Sequence, residues 1–186
     1  MEAILVECVE KSLGLMMYRN AIFMCQRLCA QFPSEINSQL LATCFLQSNQ
    51  AYSAYHILKG TQMAQSRYLF ALSCFHMDLL SEAEAALCPR NDPASEVPNG
   101  AAGHYLLGLV YRHCLKSAYW FCCGYMELLL FWIYDNDILF PKLDLFWLTA
   151  YTGYTDRLKS AIHHFNQALS LDPLLWVAYE ELCILG

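Results

Sequence analysis

Apolar residues along this chain recur at spacings of three and four. The rhythm runs through AILVECVEKSL, AIFMCQRLCAQF, SQLLATCFL, SRYLFALSCF, GHYLLGLVY and SAIHHFNQALSL, and it predicts helices that each carry one apolar stripe. Alternation of apolar and polar residues, the mark of a half-buried strand, is nearly absent. The segments break at Phe32-Pro33-Ser34, Lys59-Gly60, Cys88-Pro89 and Asp172-Pro173. Proline cannot continue a helix there, and glycine readily takes the conformations that end one. Short helices joined by short turns predict an all-α fold of stacked helical hairpins.

The hairpins have a period. A 34-residue tetratricopeptide unit places a large residue, Leu-Gly and an aromatic on its first helix, then Ala, an aromatic, Ala and Pro around its second. His104, Leu107, Gly108 and Tyr111 fit the first helix, and Ala161, Phe165, Ala168 and Pro173 fit the second. Weaker copies precede it. Leu41, Ala42, Phe45, Ala54 and Leu58 make one; Phe70, Ala71, Cys74, Ala83 and Leu87 make another; Ala21, Cys25, Leu28 and Pro33 close the first. Tyr179, Leu182 and Cys183 begin a fifth. Small residues such as Gly108 and Ala161 let two helix backbones approach while large ones fill the gaps. The pattern predicts a tetratricopeptide-repeat solenoid, a right-handed superhelix of about four and a half repeats.

One interval is out of register. The second-helix alanines are 33 apart from Ala21 to Ala54 and 29 apart from Ala54 to Ala83, but 78 apart from Ala83 to Ala161. The excess falls on residues 113–153, which hold three of the four tryptophans and eleven of the 26 aromatic residues. Removing those 41 residues would join Arg112 to Tyr154 and put Ala161 twelve positions after Gly108, as the template requires. We therefore expect repeats 1–3 and the first helix of repeat 4 in residues 1–112, an aromatic-rich insertion at 113–153, and the second helix of repeat 4 with the start of repeat 5 in 154–186. An insertion in a turn adds only a slowly growing closure cost, so both helices of the split hairpin can still pack.

Composition narrows the function classes. With 186 residues, 57% of them hydrophobic, one domain with a substantial core is expected. A net charge of -6 and no basic run argue against nucleic acid. Ten cysteines could form a disulfide scaffold, but MEAILVECVEKSLG has acidic residues where a secretory signal is basic. A reducing compartment is expected, with Cys25 and Cys29 as core packing, and neither they nor Cys122-Cys123 have zinc-site spacing.

Candidate chemistry is sparse. Ala118 to Tyr134 is a 17-residue, mostly apolar stretch at the lower limit for a membrane span. Its central Glu127 costs roughly 2.5–3.5 kcal/mol in lipid if it behaves as Asp does, and neighbouring Leu and Phe offset that only in part. We expect an apolar loop instead, with any local helix at Glu127–Ile133 ended by Asp135-Asn136-Asp137 and Pro141. No nucleophile with an oriented base, carboxylate pair or phosphate loop is legible. No enzyme activity, cofactor or metal is expected. His163 and His164 point about 100 degrees apart on a helix, which disfavours a shared metal, and Glu82 and Glu84 read as a solvated face.

Protein binding is the remaining class. Extrapolated to the concave face, the template selects Val6, Gln39, Tyr68, Leu72, Tyr105 and Leu109. A clamp for a partner's terminal carboxylate needs Lys, Arg or Asn there. These residues suit burial of another protein's helices better, including a second copy of the chain. Val6, Tyr68, Leu72, Tyr105 and Leu109 are the candidate contacts, although Leu72 and Leu109 could equally pack inside their own repeats. A free-standing adaptor that holds a client peptide is the alternative. Trp176, Tyr179 and Leu182 are expected on the exposed stacking face of a terminal repeat.

Two stretches carry a more specific likeness. AYSAYHILKG and DPLLWVAYEELCILG, with the sequence around them over residues 1–112 and 154–186, resemble the N-terminal part of the large tetratricopeptide subunit of the anaphase-promoting complex in its plant HOBBIT-type form. The resemblance implies a non-catalytic scaffold in a cell-cycle ubiquitin ligase, nuclear and cytoplasmic and soluble. It also implies an N-terminal region that forms a homodimer beside other subunits of the complex. The family's activator-binding C-terminal repeats are expected to be absent from this chain. Residues 113–153 do not fit the resemblance and read as a retained intron or gene-model error.

Overall fold

The computed structural model describes residues 1–88, 96–115 and 140–185. Among these there are nine helices and no strand. They are α1 (Glu2–Gly14), α2 (Tyr18–Gln31), α3 (Glu35–Gln47), α4 (Ala51–Leu58), α5 (Ala64–His76), α6 (Leu80–Leu87), α7 (100–115), α8 (Phe140–Leu171) and α9 (Trp176–Leu185). The all-α repeat fold is as the periodicity implies. The single expected domain, however, divides into two compact units, Met1–Asn99 and Gly100–Gly186. Contacts in a repeat array run between neighbours, so no central core obliges the whole chain to cluster as one body.

In the first unit each helix packs on the next, from α1 through α6. Its three hairpins place the same kinds of side chain at the same phase. Val9 and Ala21, Ala42 and Ala54, and Ala71 and Ala83 are each twelve positions apart, and all six are fully buried. Four residues beyond each second-helix alanine stands another buried side chain, Cys25, Leu58 or Leu87. A residue at a helix crossing has to be small when the backbones meet there, and the next turn of the helix fills the space beside it.

The three turns inside these hairpins are also copies of one another. Met16, Asn49 and Asp78 have φ of 56°, 61° and 62°. In each case the next amide bonds back five residues, Met17 to the Ser12 carbonyl, Gln50 to Phe45 and Leu79 to Cys74, at 2.8, 2.8 and 2.9 Å. This is the left-handed helix ending that Asn and Asp tolerate better than other non-glycine residues. Met16 adopts it without that advantage.

Polar links fix one hairpin against the following one. The Glu35 carboxylate accepts from the Met63 amide at 2.9 Å and from the Ser66 hydroxyl at 2.6 Å, and these donors hold its acid strength above the ordinary. Gln39 donates to Ser66 at 2.9 Å, and the Tyr55 hydroxyl donates to Glu82 at 2.9 Å. Buried Asn37 donates to Glu2 and to the Phe32 carbonyl at 2.9 and 2.7 Å. Ser34 caps α3 through the Asn37 amide, as expected for a serine following Pro33.

The second unit is built differently. Helix α8 is 32 residues long, so residues 140–153, expected as part of an apolar loop, are helical and continuous with the residues that follow. Pro141 does not stop this helix because it sits in the first turn, where a proline's missing N–H has no partner to lose. At α7 the fit is close: a methyl group on Gly108 would lie 2.5 Å from the Phe165 ring. Ala161, Phe165 and Ala168 are fully buried. They repeat the phase of Ala21, Cys25 and Leu28 in α2. Arg112 on α7 pairs with Glu181 on α9 at 2.7 Å, with both side chains largely covered.

Candidate protein-interaction surface

Each candidate contact has its place set by the repeat phase. Val6, Tyr68 and Tyr105 stand three residues before Val9, Ala71 and Gly108, and Leu72 and Leu109 stand one residue after the last two. All five are half-buried. Val6 and Tyr68 pack against the core of the first unit, Tyr105 and Leu109 against that of the second. The Tyr105 ring lies 6.0 Å from that of Phe165. Burial pushes the Tyr68 phenol up from its usual range, so it stays neutral at physiological pH. Tyr68 and Leu72 share one turn of α5, as Tyr105 and Leu109 share one of α7, whereas Val6 stands apart on α1. Gln39 at the corresponding place on α3 already spends its amide on Ser66.

The repeat phase extends to a residue the concave-face selection left out. Tyr179 follows Pro173 by six positions, as Gln39 follows Pro33. Its ring lies 5.3 Å from that of Trp176, and the two close an open pocket of about 380 Å³ with Leu169, Pro173 and Leu174. Trp176 is 68% and Tyr179 50% exposed, while Leu182 packs against the core. The spacing from Pro33 to Gln39 was the available signal for Tyr179.

The remaining polar chemistry is structural. His163 is exposed and His164 half-buried, with His164 Nδ1 3.0 Å from His104 Nδ1. Among the described residues no group of three or more metal-ligating side chains converges. Cys29 and Cys25 donate to the Asn37 carbonyl at 3.3 and 3.8 Å. Hydrogen bonds with Cys29 and Cys44, together with burial, push the Cys25 thiol strongly up, which leaves it an unreactive core group. Glu82 is exposed as expected, but it is committed to Tyr55, and Glu84 is half-buried. No helix among the described residues is long and apolar enough to cross a membrane. The candidate span at Ala118–Tyr134 lies outside the described residues, as do Cys122 and Cys123.

Comparison with known proteins agrees with this repeat geometry. Residues 15–89, within the first unit, match the family described as anaphase-promoting complex, cyclosome, subunit 3. The chain is 58% identical over 186 residues to cell division cycle protein 27 homolog B of Arabidopsis thaliana, covering all of this chain and 20% of that protein. Residues 15–89 belong to the subunit 3 family. Homolog A of the same plant is 50% identical over 186 residues, again 20% of its length. The similarity reaches beyond plants, since the human cell division cycle protein 27 homolog is 30% identical over 180 residues, 91% of this chain and 17% of its own length. The chain thus spans about a fifth of the length of these plant cell division cycle protein 27 homologs.

Proposed function

We propose that the chain is a non-catalytic scaffold segment of the anaphase-promoting complex, the cell-cycle ubiquitin ligase. In this reading its N-terminal repeats mediate self-association and contact with other subunits, in nucleus and cytoplasm. The observation that carries it is the 58% identity along the whole chain to a cell division cycle protein 27 homolog. The half-buried apolar and aromatic residues Val6, Tyr68, Leu72, Tyr105 and Leu109 support contact with apolar helices rather than with a charged tail. Sedimentation of the intact chain should give a dimer whose population rises with concentration. Leu72→Glu should lower it at least tenfold in association constant while the circular dichroism stays native. A monomer at all concentrations that binds peptides ending in a carboxylate would replace this reading with the adaptor.

We also infer that residues 113–153 interrupt a repeat that is complete without them. Asp156 stands five residues before Ala161, as Met16, Asn49 and Asp78 stand before Ala21, Ala54 and Ala83. Those three are left-handed turn residues, whereas Asp156 lies inside α8. Without residues 113–153, α7 would reach Tyr154 directly and Asp156 would take the turn. The deleted chain should fold with a Tm at or above that of the full chain, and Asp156 should show a left-handed backbone by NMR shifts. An unfolded deletion variant would sink this inference.

A further inference from the structure

His104 on α7 and His164 on α8 tie together two helices that are separated in sequence by the interrupting stretch. Their Nδ1 atoms are 3.0 Å apart with ring centroids at 5.3 Å, so the rings meet nearly nitrogen to nitrogen. Such a contact needs one ring to carry hydrogen on Nδ1 and the other to offer a lone pair there. The Tyr111 ring stacks on His164, 8° from parallel and 5.7 Å away, and His163 approaches from the same helix at 5.2 Å. Among the described residues, Tyr111 on α7 and His163 on α8 thus face the pair; on α9, Glu181 is already matched by Arg112. We propose that His104 and His164 form an acid-sensitive clasp, which holds α7 to α8 at neutral pH and opens that hairpin when both rings are protonated.

The chemistry of the step is simple. A first proton can enter on an outer ring nitrogen and leave the N–H···N bond in place. A second makes both facing nitrogens donors and gives the rings like charges at hydrogen-bond distance, so the contact becomes repulsive. Burial and the neighbouring histidines already disfavour the charged forms. They lower His164 to about 4 and push His104 down from its usual value. The unfolded chain therefore binds more protons than the folded one between the ordinary histidine range and about 4. Stability of this unit is full above about pH 6.5 and is lost as pH falls through that window. The first unit holds no such pair, since His56 and His76 are exposed. Its depressed acid, Glu35, loses its contribution only below the ordinary carboxylate range.

The sequence supplies a reporter, because all four tryptophans lie at residues 120, 132, 147 and 176, within the second unit. Acid titration of the full chain should show a tryptophan fluorescence step between about pH 6.5 and 4, while far-ultraviolet circular dichroism retains more than half its amplitude. The step should disappear in His104→Gln/His164→Gln and persist in His163→Gln. A step that survives unchanged in the double variant, or that coincides with complete loss of circular dichroism, would overturn the proposal. Should the double variant not fold, nitrogen-15 shifts of the wild-type rings at pH 7 decide the matter. One Nδ1–H ring and one Nε2–H ring support the clasp; two Nε2–H rings rule it out.

Discussion

The first and second units bury side chains at the same helical phase, yet they connect their helices in different ways. In the first, Ala42 and Ala54 are joined across a tight turn through Asn49, and Ala71 and Ala83 across one through Asp78. In the second, Gly108 and Ala161 stand 53 positions apart, and the would-be turn residue Asp156 is helical. The packing is nevertheless recovered, with Phe165 against Gly108 where the first unit sets Cys25, Leu58 or Leu87. Hairpin packing here follows from which residues meet at the helix crossing. The connection decides only what the chain does between them.

Substitutions can test that separation. The largest effect is expected for Phe165→Ala, which empties the space over Gly108 and should destabilise the second unit by about 3–5 kcal/mol. Urea unfolding followed by tryptophan fluorescence measures this. Little loss would mean that the helix pair is held by its long connection after all. Gly108→Ala is milder. Crowding the Phe165 ring costs about 1–3 kcal/mol, and alanine's better helix propensity returns up to about 1, for a net loss of about 1–2. A stabilised variant would show that the close approach is not needed. The smallest change should come from the first unit's Met16→Gly, which relieves a left-handed methionine and should stabilise by about 0.5–1 kcal/mol. Thermal unfolding followed by circular dichroism reads it, and a lower Tm would mean that the turn is held by the exposed Met16 side chain rather than strained by it.

The repeat signal was legible because it rests on local rules. Ala21, Ala54, Ala83 and Ala161 are small where backbones cross, and Pro33 and Pro173 follow by twelve positions, so period and phase could both be counted. The candidate interaction surface was legible only as positions. Val6, Tyr68 and Tyr105 were selected by register, but their packing on their own cores depends on which neighbours fill the adjacent layer, and no spacing rule states that. Tyr179 was expected on a terminal stacking face and was not counted among the concave positions, although its six-residue step from Pro173 matches that from Pro33 to Gln39. The helix through residues 140–153 escaped because Pro141 reads as a stop unless one knows that it falls in a first turn.

By itself the sequence determined most of the helices, the repeat period, the place of the irregular interval and the family to which the chain is related. The first three follow from spacing within a few tens of residues, and the relation to the family from particular stretches such as AYSAYHILKG and DPLLWVAYEELCILG. Only the tertiary structure decided that His104 would meet His164, that Arg112 would meet Glu181 and that Glu35 would bind across to the next hairpin. Those pairs join residues 60, 69 and 31 positions apart. Their distances depend on helix crossing angles and side-chain rotamers, which are set by packing.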